Sequence, residues 1–510
     1  MHQYFPAAEP GCPTFAEDSE WHPLVDGEGY FNELDRLLAE LGVGDEILIA
    51  GLALDPELDL RGRRSGAADY ESLADRLVAA GAAGTDVRVL VAGKVTASFI
   101  PLPGLAIFRA NAALVRRLDQ ARPKGWPPER RPPLEGHALV DYSGVLLGSN
   151  HQKTVVVTQG GVVTAFVGGI DFVASRYDAA PHDRLSLDGE RWGWHDAAVR
   201  LCGPAAARAH DAYLERWHEA ATLPPKPYLK PRIRLPRINP PTAPAPAPAV
   251  LQQPVASPGT SVRVLRSVSD RKLDSLFPWR RHRWDAVPQR GIHEIYETVV
   301  AAIRAARRYV YIEDQYLCEY AGRRPPFELY PHLRDAAARG VKLILVGSGT
   351  RDPEDPGINV RPINRRVNRD IRTKIIDQLD ADRRGNVVLF RIEHATVHAK
   401  LIIVDDVFAN IGSANLFSRS MSGVDCEISA AVATSTSLVR DLRIQVWGEH
   451  LRAPLTRDLK ACLADLDLAL GIWNAAWLPA DRPRSTWRTP GEPGPFAPAE
   501  TVLQRVDVPR

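Results

Sequence analysis

Cysteine is scarce in this sequence and lacks the spacing of a disulfide or metal-binding framework. The 510 residues include five cysteines, an odd and scattered set without a Cys-x-x-Cys pair: Cys12, Cys202, Cys318, Cys426 and Cys462. Secreted disulfide scaffolds and zinc modules depend on such pairs. We therefore expect neither disulfides nor a zinc module, and we predict that the chain uses no metal and no cofactor.

Net charge and long apolar runs are also lacking. The 64 Lys and Arg residues nearly balance 62 Asp and Glu residues, which disfavours binding to nucleic acid through overall charge. The first twenty residues have no basic segment followed by an apolar one, and the uncharged segment 154–170 is interrupted by Thr, Gln and Gly. The sequence predicts a cytoplasmic monomer that could contact a membrane surface peripherally.

Length and composition predict two large globular units. With 45% hydrophobic and 25% charged residues, the chain can bury a sizeable core, and 510 residues exceed one ordinary domain. A proline-rich stretch in the middle is typical of an extended linker. We divide the chain into an N-terminal extension (1–27), a first lobe (28–222), the linker (223–262), a second lobe (263–480) and a C-terminal tail (481–510).

The two sides of the linker repeat one order of elements. An amphipathic helix, an apolar strand (EILIAGLAL), a helix and a second strand (VRVLVAG) in the first half correspond to a helix, YVYIEDQYL, a helix and VKLILVG in the second. Helices alternating with short apolar strands are typical of mostly parallel sheets covered on both faces. We expect an α/β protein of two similar lobes, each a mostly parallel sheet flanked by helices, related by a pseudo-two-fold axis.

A histidine and a lysine two residues apart precede a strand hairpin in each half. His151 and Lys153 precede TVVVTQGGVVTAFVGGID, while His398 and Lys400 precede LIIVDDVFANIGSAN. Alternate residues of a strand share a face, so each histidine projects beside its lysine. One such motif could be coincidence, but two in equivalent positions of duplicated halves indicate a shared site.

This doubled pattern resembles the HxKxxxxD motif, followed by GS/GG-x-N/D, of the phospholipase D superfamily. The resemblance runs from about residue 30 to 450 and includes GGIDF, RYD, WHD and YIEDQYL. The last of these is similar to the eukaryotic-like branch and to the phosphatidyltransferase, cardiolipin synthase-like branch of the family. It implies a two-lobed phospholipase D-like fold and a phosphodiesterase or phosphatidyltransferase that works without metal through a phosphohistidine intermediate.

The resemblance also implies catalytic roles for the motif residues. His151 is assigned as the nucleophile and His398 as the general acid and base, and the reverse assignment stays open. Lys153 and Lys400 would hold the negative charge on the non-bridging phosphoryl oxygens. Further phosphate contacts are predicted for Ser413, Asn415 and, in the first half, Asp171.

Two carboxylates follow the hairpins and begin short apolar runs. Asp196 and Glu427 are predicted to orient the imidazoles and raise their basicity, with surface pairing to arginine as the alternative. The motif departs from the family at Thr158, where the pattern places an Asp. Since a strand rises about 3.3 Å per residue, that position lies far from the phosphate, and we interpret its counterpart Asp405 as a turn residue that supports the motif.

The sequence leaves the substrate open between three classes. A phospholipid enzyme is favoured because YIEDQYL and the stretch after His398 resemble lipid-acting members, although membrane helices common in cardiolipin synthases are missing here. The alternatives are a nuclease or other non-lipid phosphodiesterase, with nucleic acid the less expected partner, and an inactive phosphate-binding scaffold. Basic segments 278–284 and 361–374 fit either solvated helix faces or surfaces flanking the cleft.

Overall fold

The apolar runs on both sides of the linker become the strands of two sheets. The protein was analysed as a computed structural model, which describes residues 2–6, 16–93, 106–142, 148–182, 193–222, 257–269, 291–318, 327–348, 361–392, 395–416, 418–452, 454–475 and 503–505. Most of the predicted linker and tail, and the basic segment 278–284, lie outside these residues.

The elements before the linker are nine strands and four helices among the described residues. The strands are β1 (Ala16–Glu17), β2 (Glu20–Val25), β3 (Glu46–Gly51), β4 (Asp86–Ala92), β5 (Ala138–Asp141), β6 (Thr154–Gln159), β7 (Val162–Gly168), β8 (Gly193–His195) and β9 (Ala197–Cys202). The helices are α1 (Gly27–Ala39), α2 (Leu73–Ala83), α3 (Ala106–Gln120) and α4 (Pro204–Thr222).

The elements after the linker continue the same alternation. The strands are β10 (Thr260–Val268), β11 (Ile292–His293), β12 (Tyr309–Glu313), β13 (Lys342–Ser348), β14 (Val387–Ile392), β15 (Ala395–Val397), β16 (Leu401–Val404), β17 (Phe408–Gly412), β18 (Glu427–Thr434) and β19 (Leu503–Arg505). The helices are α5 (Glu294–Ala305), α6 (Tyr330–Ala338), α7 (Arg361–Lys374), α8 (Ser418–Met421), α9 (Leu438–His450), α10 (Arg457–Ala464) and α11 (Leu466–Ala475).

The two sheets repeat one strand order. The first runs β2-β9-β7-β6-β3-β4-β5, and the second contains β10-β18-β17-β16-β12-β13-β14 in the same succession. Corresponding neighbours also pair in the same direction in both sheets. The predicted two-lobed α/β fold with an internal duplication is therefore confirmed.

The sheets are mixed, which differs from the mostly parallel sheets that we expected. Within these two series, only the neighbours in β3-β4-β5 and β12-β13-β14 are parallel, and the remaining neighbours are antiparallel. The reason is the connection length: helical crossovers join the parallel strands, whereas each His-x-Lys segment leads into a tight hairpin that can only pair antiparallel strands. The apolar runs alone did not distinguish these two cases.

The faces of the sheets that point toward each other form one continuous apolar core. It combines residues of both halves, such as Val156 and Val199 from the first with Ile411 and Val432 from the second. The indole of Trp21 also donates to the carbonyl of Ala430 across this boundary at 3.2 Å. Separating the lobes would expose this core to water, so burial of apolar area holds them together.

Helices cover the outer faces. Helix α1 buries residues at helical spacing, including Tyr30, Leu34 and Leu38, and α2 begins where the Ser72 hydroxyl accepts from the Asp75 amide at 3.1 Å. Helices α1 to α3 pack on the first sheet and α5 to α7 on the second. None of the helices within the described ranges is long and apolar enough to cross a lipid bilayer.

The segment that we predicted as an N-terminal extension belongs to both lobes. Strand β2 pairs with β9 at the edge of the first sheet, whereas β1 pairs with β10 of the second. Tyr4 stacks on Phe408 with ring centroids 5.6 Å apart. The first sheet thus begins before the predicted boundary at residue 28.

The motif Asp is present only in the second half, as Asp405, and its contacts show how the turn of that hairpin is held. In the second half, Asp405 lies in the turn at φ 55° and accepts the amides of Arg307, Arg308 and Tyr309 at 2.7 to 2.8 Å, which ties the turn to the start of β12. Carboxylate acceptors of several amides are strong anchors. Asp405 is therefore the turn residue that we predicted, and it also positions β12.

In the first half a carboxylate also ties the hairpin turn to the neighbouring strand, but here the carboxylate precedes the strand and the amide belongs to the turn. Strand β6 is longer, so Thr158 lies inside the strand, where its hydroxyl donates to Glu46 at 3.1 Å. The anchoring carboxylate comes from the segment before β3, where Asp45 accepts the amide of Gly160 in the turn at 2.9 Å. The contact is retained although the motif Asp is not.

We predict that Thr158→Asp destabilises the protein without changing the activity of the folded fraction. Thr158 is 1% exposed and Glu46 is 6% exposed, so a second carboxylate there would be buried against the first, at a cost of about 2 kcal/mol or more. Calorimetry should show a lower melting temperature.

The control is Thr158→Val, which removes one hydrogen bond and should cost only about 1 kcal/mol. Combining Thr158→Asp with Glu46→Gln should recover part of the lost stability because it removes the repulsion. A Thr158→Asp protein as stable as the parent, or far more active, would contradict the position that we assign to this residue.

Candidate active site

Both His-x-Lys segments begin central strands and are held by backbone contacts from the other half. The amide of His151 donates to the carbonyl of Cys426 at 2.9 Å, and the amide of His398 donates to the carbonyl of His195 at 2.7 Å. Strands β8 and β15 also pair in parallel across the boundary. The two motifs therefore lie together at the contact between the lobes.

Each motif imidazole is held by a carboxylate of the opposite half. His151 Nδ1 lies 3.0 Å from Glu427 Oε2, and His398 Nδ1 lies 2.6 Å from Asp196 Oδ2. Each of the two predicted carboxylates thus contacts the motif histidine of the other half. Neither carboxylate is on the surface, since Glu427 is 0% and Asp196 is 1% exposed. Removing one partner of such a buried pair costs about 3 to 5 kcal/mol, so the exchange also joins the lobes.

Two serine hydroxyls support Glu427. Ser413 and Ser420 each donate to one of its carboxylate oxygens at 2.6 Å. Ser413 is thus hydrogen-bonded to Glu427 in this structure, and its phosphate contact stays a prediction. In this arrangement Ser413 fixes the carboxylate that orients His151.

Asp196 lies in a crowded environment that requires a glycine beside it. A Cβ on Gly169 would lie 2.2 Å from Asp196 Oδ1, so only glycine permits this approach. Burial raises the pKa of Asp196, and Lys400, Arg176 and Lys153 act against that shift. All three cations are close enough to influence the carboxyl group that holds His398.

Lys153 is fixed by its own half of the chain. Its ammonium donates to the carbonyl of His151 at 3.1 Å and lies 3.2 Å from Asp171 Oδ2. Asp171 also accepts the amides of Leu52 and Ala53 at 3.1 Å. Asp171 therefore contacts Lys153 directly, and its phosphate contact stays a prediction.

Lys400 has the corresponding position in the second half. Its ammonium donates to the carbonyl of His398, and it is 2% exposed. Burial lowers the pKa of Lys400 to about 8; Asp196 and Asp314 raise it, whereas Lys153 and Arg176 lower it further. Two lysines that influence each other in this way converge on one region.

Asp314 is the buried carboxylate near Lys400, as Asp171 is the one near Lys153, although the two carboxylates come from different segments of their halves. It follows β12 and accepts the amides of Tyr316 at 2.8 Å and Leu416 at 2.7 Å, so it ties this loop to the GSAN segment. Burial raises its pKa to about 7. Each lobe thus has one buried carboxylate beside its motif lysine.

Asn415 occupies the position equivalent to Asp171 in the GS-x-N motif. It is 5% exposed, and its buried Oδ1 has no hydrogen-bond partner among the described residues. An amide offers both a donor and an acceptor. Its phosphate contact stays a prediction.

Sequence reasoning missed three residues of the site: Arg176, Asp314 and Ser420. Arg176 is 2% exposed, and its guanidinium carbon lies 3.4 Å from the ring centroid of Trp194. Arg176 and Asp314 lie in segments noted for the resemblance (RYD and YIED), but only their burial beside the motif lysines distinguishes them from surface charges. Ser420 had no recognisable pattern.

Two family models match the part of the chain that carries Asp196 and the second motif. The model described as "Phospholipase D" matches residues 184–322, and the model described as "Cardiolipin synthase, PLD-like domain" matches residues 299–443. Together they span 184–443 without a break.

Curated relatives agree with these models. Phospholipase D alpha 3 of Arabidopsis thaliana is 27% identical over 429 residues, covering 63% of this chain and 51% of that protein. Cardiolipin synthase A of Pseudomonas putida strain W619 is 28% identical over 272 residues, covering 53% of this chain and 41% of its own. The chain therefore spans about half the length of the curated relatives it matches.

The fold also has a counterpart among solved structures. The crystal structure of phosphatidylserine synthase from Haemophilus influenzae Rd KW20 superposes with a TM-score of 0.52 at 13% identity, covering 85% of each chain. At this identity the likeness concerns the fold alone. From the doubled motif, the repeated strand order and these matches together, the chain belongs to the phospholipase D superfamily.

Proposed function

We propose that this protein is a phosphodiesterase of phospholipase D type, which transfers phosphatidyl groups to water or to an alcohol through a phosphohistidine. The observation that carries the proposal is the pair of motif histidines, His151 and His398, each held at Nδ1 by a buried carboxylate of the opposite lobe. The printed names of the relatives, phospholipase D and cardiolipin synthase, support phosphatidyl groups as the substrate.

The Nδ1 contacts support Nε2 as the ring nitrogen that reacts at phosphorus in both histidines. A carboxylate accepts a proton and cannot donate one, so each neutral ring carries its proton on Nδ1 and its lone pair on Nε2. The carboxylate also stabilises the imidazolium that forms when Nε2 takes up a proton. Both rings are thereby suited to act at phosphorus through Nε2.

In the first step, Nε2 of neutral His151 attacks phosphorus while protonated His398 donates to the leaving oxygen. The P–N bond forms, the P–O bond to the departing alcohol breaks, and the alcohol leaves with the proton from His398. His151 is the nucleophile in this assignment, and the reverse assignment stays open because both rings have equivalent carboxylate partners.

In the second step, neutral His398 removes a proton from water or from a second alcohol, whose oxygen attacks phosphorus. The P–N bond breaks, and His151 and His398 return to their starting protonation states. Lys153 and Lys400 hold the non-bridging oxygens through both displacements, since fixed cations in a dry site stabilise charge that develops there. Hydrolysis and transfer therefore differ only in the acceptor.

A lipid substrate is favoured over nucleic acid by the relatives and by the charge distribution. The near balance of acidic and basic residues provides no general attraction for a polyanion. A local basic surface exists on α7, where Val367 and Ile371 are buried while Arg369 and Lys374 are exposed. Such a face suits peripheral contact with an anionic lipid surface.

We predict that phosphatidylcholine vesicles incubated with the protein and ethanol yield phosphatidylethanol and phosphatidic acid, while plasmid DNA stays intact. Lipid products would be resolved by mass spectrometry and DNA by gel electrophoresis. Phosphatidylglycerol vesicles test for cardiolipin formation in the same assay. DNA cleavage without lipid turnover would favour the nuclease, and a folded protein inactive on both would favour a phosphate-binding scaffold.

A covalent intermediate should accumulate in one histidine variant and not in the other. With a phosphatidyl ester of p-nitrophenol, the leaving group needs no proton, so His398→Asn should release about one equivalent of p-nitrophenolate in a burst and retain the phosphatidyl group. His151→Asn should give no burst. Turnover of ordinary substrate should fall by at least about 10³-fold in both variants.

Asparagine is chosen because its amide can donate to Asp196 or Glu427 in place of Nδ1, which limits the loss of stability. His210→Asn is the control, since His210 is also a histidine paired with a carboxylate, but its partner Glu46 lies in the same lobe and away from the motif histidines. A burst in His151→Asn alone would reverse the two roles. Near-normal turnover in either variant would overturn the paired mechanism.

The pH dependence of kcat/KM should fall on the alkaline side near pH 8. Lys400 must be protonated to hold the phosphoryl oxygens, and its pKa is lowered to about 8, so its charge is lost as the pH rises through that value. Lys400→Arg should remove this decline. Asp314→Asn deletes an anion that raises the pKa of Lys400 and should move the decline to lower pH; an unchanged profile would contradict the coupling.

A further inference from the structure

A second group of ionisable side chains lies behind His398 and takes no part in the proposed chemistry. It consists of Asp26, His182 and His195 from the first half and Glu449 from the second. Their side chains are at most 6% exposed. Each contributes one nitrogen or oxygen atom, and these four atoms all lie within 4.8 Å of one another.

The four atoms lie close enough together to surround one small ion. Glu449 Oε1 is within hydrogen-bond distance of both imidazoles, 3.0 Å from His182 Nε2 and 2.5 Å from His195 Nδ1, while the Asp26 oxygens lie 3.7 Å and 3.4 Å from the same two nitrogens. Zinc bonds of about 2.0 to 2.1 Å in a tetrahedron separate neighbouring ligands by roughly 3.3 Å. The observed distances lie on both sides of that value.

The outward nitrogen of each imidazole has a carboxylate acceptor. His182 Nδ1 lies 2.7 Å from Asp178 Oδ2, and His195 Nε2 lies 2.8 Å from Glu313 Oε2. Metal-binding histidines typically donate their second N–H in this way, which fixes the tautomer and turns the other nitrogen inward as a ligand. The arrangement occurs twice in this group.

Glu313 accepts from the outward nitrogen of His195 and is not one of the four candidate ligands, which we call the inner set. Besides the bond from His195, Glu313 has a hydrogen bond with His450 Nε2 at 2.5 Å and accepts one from the hydroxyl of Tyr311. A carboxylate that accepts from three neighbours has little capacity left for a cation. The inner set is therefore Asp26, His182, His195 and Glu449.

The inner set carries two negative charges when both imidazoles are neutral. The side chains of Asp26 and Glu449 are only 3% and 6% exposed, so their charges need a positive partner close by. Protons on both imidazoles would supply one. One dication would offset the same charge with all four ligands in place.

We propose that Asp26, His182, His195 and Glu449 bind one divalent first-row transition ion, zinc, in a closed structural site. Two imidazole nitrogens select such an ion over Ca²⁺ or Mg²⁺, which prefer oxygen ligands throughout. Four protein ligands from two lobes leave no position for substrate, as in structural zinc sites. This inference goes beyond the proposed function, and no step of the displacement passes through the ion.

The site would hold His398 in place through the backbone. The His195 carbonyl accepts the amides of His398 and Ala399 at 2.7 Å and 3.1 Å, and the next residue, Asp196, holds the His398 ring. Asp26 also donates its amide to the carbonyl of Asp196 at 2.8 Å. An ion between Asp26 and His195 therefore fixes the segment that positions His398.

The test is the metal content of the full chain, purified without a histidine tag and dialysed against metal-free buffer. Mass spectrometry of the elements should find about one zinc per wild-type chain. Chelator should lower the melting temperature, and added Zn²⁺ should restore it. Replacement by Co²⁺ should give the intense visible bands of a tetrahedral site.

Variants then assign the ligands. His182→Gln and Glu449→Gln should each lose most of the bound metal. His210→Gln should retain it, because His210 is a buried histidine paired with Glu46 outside the group. Retention of metal in both ligand variants would overturn the assignment, whether or not the protein is active.

The wild-type protein alone can also refute the proposal, even if the variants do not fold. Less than about a tenth of an equivalent of metal after incubation with excess Zn²⁺, with a melting temperature unaffected by chelator, would show a purely hydrogen-bonded network of charges. Retention of Ca²⁺ in preference to Zn²⁺ would overturn the choice of metal. None of these outcomes depends on turnover, so they are separate from tests of the proposed function.

Discussion

The exchange of carboxylates between the two halves is the interaction on which the site depends. His151 takes its partner Glu427 from the second lobe, and His398 takes Asp196 from the first. Neither half therefore supplies both members of a motif histidine-carboxylate pair, and Glu427 and Asp196 would each be left without their imidazole if the lobes separated. Duplication supplied two similar halves, but the functional units are formed across their boundary.

The packing of the lobes explains why these long-range contacts can be maintained. The inner faces of both sheets share a single apolar core, and the Trp21 indole crosses it to the Ala430 carbonyl. Opening the lobes like a hinge would expose that core, so we regard them as one rigid unit. In the proposed mechanism this shared core would keep the donors fixed around the charge that develops on the phosphoryl oxygens, as electrostatic catalysis requires.

Local patterns in the sequence predicted the repeated elements, the hairpins and the two His-x-Lys faces, because these depend on short-range periodicity and turn residues. They also indicated Asp196 and Glu427 as site carboxylates. They did not indicate that the pairs are crossed, since this depends on how the lobes pack. For the same reason they did not indicate that Ser413 contacts Glu427 or that Asp171 contacts Lys153, because both contacts arise only from tertiary packing.

The reversed anchor of the first hairpin also limits how freely the two halves could be recombined. Asp405 reaches from its turn to the start of β12, whereas Asp45 reaches from the start of β3 to its turn. A chimera that carried the second hairpin on the first sheet would bring two anionic anchors to one corner, and the reciprocal chimera would have none. Each hairpin has become matched to the strand beside it, so the repeats are similar in shape but no longer exchangeable parts.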